Sequence, residues 1–96
     1  MTRYRVLAWD GIPAQIKVTE PGERPLSREL STWFTEHIDR EAMKRGLYGS
    51  DEYLDQWAWS DYQERSGSAE EVADAVIEEI EAEWEPVRRR WEAGED

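Results

Sequence analysis

Few side chains in this sequence combine the type and spacing that chemistry requires. His37 is the only histidine, and Glu41 follows it by four residues, which on a helix is one turn and places both on one side. Such a pair could share a proton or begin a metal site, but zinc needs at least one further protein ligand, and the neighbouring residues supply none. The chain has no cysteine, so thiolate ligands, thiolate nucleophiles and disulfides drop out together. Read structurally, the His37 imidazole borders an apolar stripe and pairs with Glu41. A second group, Asp51, Glu52, Asp55 and Asp61, crowds the run YLDQWAWSDYQERSGS at residues 53–68. Two carboxylates at a suitable separation can do glycosidic or other acid/base work, yet acids are so common in this half of the chain that a pair means little. Asp51 and Glu52 are accounted for by the first turn of a helix, whose dipole they complement. Trp57 and Trp59, with acids nearby, could cage a methylated ammonium through their ring faces; with His37 and Glu41 they make up an alternative small-molecule pocket. No phosphate-binding glycine loop, nucleophile elbow, EF-hand loop or His-Glu-x-x-His occurs. No catalytic residue, metal or cofactor is therefore assigned, and a non-catalytic role is expected.

The elements that must position these residues are legible from local pattern. YRVLAWDGIPAQIKVTE reads as a hairpin with strands at about 3–9 and 14–19, turning over Asp10-Gly11 or over residues 10–13, since Asp-Gly supplies a ready turn and Pro13 must sit where no N–H is needed. Alternation puts Leu7, Trp9, Ala14, Ile16 and Val18 on one face, taken as the helix-covered core, and Tyr4, Val6, Ala8, Gln15 and Lys17 on the other. PGERPLS reads as a loop. A helix is predicted over 31–45, with Leu30, Phe34, Ile38 and Ala42 as its apolar line and Gly46 as its stop. Ser50 caps a short second helix. Residues 57–64 alternate as a third strand, with Trp57 and Trp59 turned to the core and Tyr62 outward. Ser68 and Glu71 form a capping box, and Ala69, Val72, Ala73, Val76, Ile77, Ile80, Trp84, Val87 and Trp91 form one stripe of a final helix. Pro86 should end or kink that helix near 83–85, leaving 86–96 as a last turn and an acidic tail. The expected fold is α+β, a single small domain over 1–96 with its core at about 3–85, a three-stranded antiparallel or mixed sheet with helices on one face, in the order ββααβα.

A chain of 96 residues that is 39% apolar can build one core, much of it from six tryptophans and four tyrosines. The net charge of −11 is unevenly spread: residues 1–48 carry eight Lys/Arg against seven Asp/Glu, residues 49–96 four against sixteen. Such a surface repels phosphate backbones, so nucleic acid is not expected unless Arg3, Arg5, Lys17, Arg24 and Arg28 gather on one side. No stretch approaches the ~20 apolar residues of a membrane span, and a cytoplasmic location is expected. The open sheet face, with Tyr4, Gln15, Lys17 and Tyr62 as its candidate interaction residues, would leave an aromatic, half-apolar patch in water. A protein partner is expected there, a second copy of the chain being one candidate, with the acidic face of the last helix as a further contact.

The blocks WDGIPAQIKV (9–18), IDREAMKRGL (38–47) and YLDQWAW (53–59) resemble, in order and spacing, the small domain of the virulence factor family, which also resembles the C-terminal part of conserved virulence factor C. The resemblance covers roughly residues 4–85. It implies an undefined biochemical activity and no catalytic residues to carry over. In the larger protein the domain is joined to a NifU-like segment and helical repeats, the company of an adaptor. Stand-alone bacterial members accompany folate-dependent or corrinoid one-carbon enzymes, which implies as an alternative an accessory role in one-carbon metabolism with a Trp-lined small-molecule pocket.

Overall fold

Asp10 and Gly11 make the two-residue turn of the hairpin, both at positive φ (45° and 86°), the mirror-image turn whose twist matches that of the strands it joins. The computed structural model describes residues 1–94; β1 spans Thr2–Trp9 and β2 Ile12–Thr19. Beyond the turn Trp9 lies opposite Ile12 and Ala8 opposite Pro13, and then the register shifts so that Leu7 meets Gln15, leaving Ala14 as a bulge without a partner on β1. One extra residue in one strand exchanges the faces of everything beyond it. Val6 therefore faces Ile16 and Tyr4 faces Val18, and all four pack in one cluster beneath the last helix. This corrects the alternation argument: Tyr4 and Val6 are on the helix-covered side, and Leu7 is on the open side with Gln15.

Three more strands extend the sheet. Part of the predicted loop is a strand, β3 (Leu26–Glu29), paired with β2. The predicted third strand is two, β4 (Trp57–Trp59) and β5 (Gln63–Arg65), both antiparallel to β1. Ser60 causes the break. Its N–H donates to the Val6 carbonyl at 2.8 Å, while its hydroxyl accepts the Val6 N–H at 2.9 Å, so one residue fills both ladder positions and 61–62 stand clear of the pairing. The sheet is wholly antiparallel and five-stranded, in the order β3-β2-β1-β4 with β5 also beside β1. The fold is α+β as expected, but its order is βββααββα rather than ββααβα.

Helix α1 (Thr32–Lys44) follows Ser31 and stops at Arg45, with Gly46 at φ 69°, the left-handed position glycine takes without a Cβ penalty. Leu30, Phe34, Ile38 and Ala42 are all buried, as is Trp33. In α2 (Asp51–Asp55) the Ser50 hydroxyl accepts the Tyr53 N–H at 3.3 Å. The Trp9 indole N–H donates to the Tyr53 carbonyl at 2.8 Å, the Asp10 N–H to the Gln56 carbonyl at 2.9 Å, and Asp10 pairs with Arg45. Both short-range ends of the helical layer are thereby tied to the hairpin turn.

Helix α3 (Ala69–Glu92) starts at a complete capping box, Ser68 Oγ accepting from the Glu71 N–H at 3.2 Å and Glu71 Oε1 from the Ser68 N–H at 3.1 Å. It does not end at Pro86. Pro86 and Ala82, whose carbonyl loses its donor, are exposed, so water can meet that carbonyl. Beyond it Val87 and Trp91 pack on the α1 cluster, and the i,i+4 pairs Arg88–Glu92 (2.9 Å) and Arg89–Glu85 (3.1 Å) brace the last turns. Of the predicted acidic tail, residues 95–96 lie outside the described residues. The core has two parts. Trp9, Ile12, Leu30, Trp33, Phe34 and Ile38 centre one, under α1 and the second half of α3; Ile16, Val18, Val72, Ala73 and Val76 centre the other, between the sheet and the first half of α3.

Candidate functional site

The face of the sheet turned away from α3 is where exposed rings and charges meet. Along β1, Arg3, Arg5 and Leu7 alternate onto it; across β2 they face Thr19, Lys17 and Gln15, and the outer strand adds Ser27 and Glu29. Trp59 arrives opposite Leu7. Tyr62 arrives because the ladder is interrupted at Ser60, which frees the following residues to fold over the strand. The guanidinium of Arg5 lies 4.5 Å from the centroid of the Trp59 ring and 4.8 Å from that of Tyr62, and Arg3 lies 4.9 Å from the latter. Attraction between each cation and the negative ring faces holds this group together. Trp59 and Tyr62 nevertheless remain 37% and 42% exposed.

The electrostatics of the face are unusual for so acidic a chain. Arg5 and Lys17 are directly opposite each other, a like-charge pair that costs stability in a sheet. Among the described residues neither they nor Arg3 forms an ion pair. The Arg5 Nε is shielded from solvent and has no hydrogen-bond partner. Two carboxylates of the ladder stand at its borders, Glu64 opposite Arg3 and Glu29 opposite Gln15. Of the five basic residues singled out in the sequence, Arg3, Arg5 and Lys17 do gather on one side; Arg28 pairs with Ile16 and so points to the other, and Arg24 is in the loop before β3.

Gln15, Lys17 and Tyr62 are on this face. Tyr4 is not: it packs beside Val18, and its hydroxyl donates to Gln63 Oε1 at 3.0 Å. Sequence reasoning names Arg3 and Arg5 only as members of a conditional basic group and not as candidates for this face, and it places Leu7 and Trp59 in the core. The bulge that brings the first three across has no local signature, although the Arg-x-Arg spacing of β1 alone shows that both guanidinia share a face. Trp59 was assigned to the core with Trp57, and the structure separates the two. Trp57 is half-buried, edge-on to Tyr53 (6.4 Å, 85°), while Trp59 supports Arg5.

The alternative pocket does not assemble as a unit. His37 stacks on Trp33 (5.0 Å, 11°) and meets Trp84 edge-on (6.1 Å, 64°) between α1 and α3, and Glu41 is half-buried one turn along α1. A notch of about 160 Å³ borders the open face, lined by Leu7, Gln15, Leu30, Thr32, Thr35 and Trp57 among others; ligand pockets usually enclose roughly 300–1,000 Å³. Among the described residues no three His, Asp or Glu side chains are grouped to hold a metal. The carboxylates with displaced pKa values serve structure. Glu71 is lowered by the Ser68 N–H of the capping box, and Glu79 by its hydrogen bond from Arg65.

Comparison with curated proteins and with solved structures gives no match, and no helix among the described residues is long and apolar enough to cross a membrane. One family model does match. It carries the description virulence factor and aligns with residues 7–90, from near the end of β1 almost to the end of α3. Those residues contain the hairpin turn and its bulge, α1 and α2, and every fully buried member of both core clusters, leaving Tyr4, Val6 and Trp91 at the margins outside. With most of its length accounted for in this way, the chain belongs to the virulence factor family.

Proposed function

We propose that this is a non-catalytic accessory domain that binds a protein partner through the uncovered face of its sheet. The observation that carries the reading is the group Trp59, Tyr62 and Arg5, two exposed rings holding a guanidinium on a rigid strand. Trp, Tyr and Arg are the residues that dominate binding energy at protein interfaces, and apolar surface left open beside them is more often an interface than an accident. Rigid strands also present such side chains at little entropic cost on binding. The acidic outer face of α3 is a second contact in this reading, suited to a basic surface and sensitive to salt. The small-molecule alternative, including a folate or corrinoid accessory role, has less support, because Trp57, Trp59, His37 and Glu41 occupy separate environments.

The test is retrieval of the tagged full chain from its own cells, with bound proteins identified and quantified beside Tyr62→Ala and Trp59→Ala. The expected outcome is one protein, recovered with the parent chain and reduced roughly tenfold or more with either variant. Undiminished recovery of every bound protein by both variants overturns the reading.

A further inference from the structure

We infer that the open face recognises an extended, carboxylate-bearing segment of a partner protein, with Arg5 as the central anchor; this rests on the interface reading and names the partner's chemistry. Three cations, Arg3, Arg5 and Lys17, share the face and none of them forms an ion pair among the described residues, although the chain has 23 acidic residues and Glu64 stands opposite Arg3 in the ladder. The fold tolerates Arg5 directly opposite Lys17, a repulsion that an incoming anion would convert into attraction. The guanidinium is held in place by Trp59 and Tyr62 before any ligand arrives, so little side-chain freedom remains to be lost. Its planar fork is suited to bind a carboxylate through two parallel hydrogen bonds.

Geometry favours a segment over a second copy or a polyanion. Arg3 and Arg5 are two residues apart on a strand, roughly 6.8 Å, the spacing of alternate side chains in any extended peptide. Four strand columns span about 19 Å and the eight residues of β1 or β2 about 27 Å, a flat area of roughly 500 Å² against the ~800 Å² that each partner contributes to a stable dimer. Two such faces packed together would also bring their cations into opposition. A nucleic acid would place its phosphates against the acids of Glu29, Glu64 and the wider surface, where a short acidic segment meets mainly the central cations.

The experiment measures fluorescence anisotropy of three labelled probes against the full chain: a decapeptide of alternating Glu and Thr, its Lys and Thr counterpart, and a thymidylate oligonucleotide of the same length. The Glu/Thr peptide is expected to bind, to weaken roughly tenfold between about 50 and about 300 mM salt, and to lose roughly tenfold in affinity with Arg5→Gln. Lys17→Gln, on the neighbouring strand, should weaken binding as well, and it carries the test if Arg5→Gln perturbs the circular dichroism spectrum. Arg24→Gln should change nothing. Failure of the Glu/Thr peptide to bind, equal binding of either other probe, or indifference to both Arg5→Gln and Lys17→Gln overturns the inference. If cellular capture still depends on Tyr62 and Trp59 while the Glu/Thr peptide does not bind, the carboxylate assignment fails and the interface reading stands. Capture indifferent to both rings fails the interface reading itself.

Discussion

Two residues illustrate how single side chains join the sheet to α3. Arg65, on the outermost short strand, forms a two-pronged hydrogen bond with Glu79, with one contact at 2.9 Å, and this lowers the Glu79 pKa while raising that of Arg65. A carboxylate whose pKa is lower in the folded state contributes stability above its unfolded pKa and loses it as pH falls through the folded value. Glu79→Gln should therefore lower the urea midpoint at neutral pH, and the gap from the parent should close on acidification below the ordinary carboxylate range. A gap of constant size from neutral pH to the acid limit would show that the charge of Glu79 is not what matters. The capping box gives a second residue-scale expectation. Ser68→Ala leaves the Glu71 N–H without its acceptor and should cost about 1 kcal/mol in denaturant unfolding, with the Glu71 pKa returning upward in an NMR titration because its reciprocal partner is less well fixed.

Among the elements, those defined by neighbours in sequence were the legible ones. The bounds of α1, the Ser50 cap, the capping box and the apolar stripes of α1 and α3 all follow from residues within one or two turns, and each is found where the pattern puts it. What depended on a distant strand was not legible. The bulge at Ala14 is a fact about pairing with β1, β3 exists because β2 offers it an edge, and Ser60 divides β4 from β5 only through its two hydrogen bonds to Val6. For the same reason the candidate face was half read. Gln15 and Lys17 were placed correctly, but Tyr4 was on the wrong side of the register shift and Arg5 had no visible partner rings. Deleting Ala14 keeps Gln15 opposite Leu7 and Ile16 opposite Val6 but removes the bulge that lets Trp9 and Val6, of opposite parity on β1, both face the core; a lowered melting temperature is the expected result, and a fold of unchanged stability would mean that the bulge is not needed to bury both. At Pro86 a local rule was outweighed by packing on both sides of it. Pro86→Ala restores one helical N–H at an exposed position and should stabilise the domain by about 1–3 kcal/mol in urea unfolding.

The whole molecule is held far from charge neutrality, at −11, with acids concentrated in the half that contains α3. Self-repulsion of that kind is relieved by screening, so rising salt should raise the melting temperature by a few degrees while it weakens attachment to a charged partner. The two trends have opposite signs and can be followed in one titration series. The molecule is also long for its size, 43 Å in its greatest extent, because 24 residues of α3 reach about 36 Å. Its first turns lie over the sheet and its last over α1. Ile77 and Ile80 alone among the apolar residues of the two core clusters pack against both, which makes them the seam through which one half senses the other's melting. Pairing Ile77→Ala with Ile80→Ala should uncouple the halves, so that calorimetric enthalpy exceeds the van't Hoff value and amides of β1 and β2 exchange at a different free energy from those of α1. The cooperativity of this small domain is then a property of one turn of one helix.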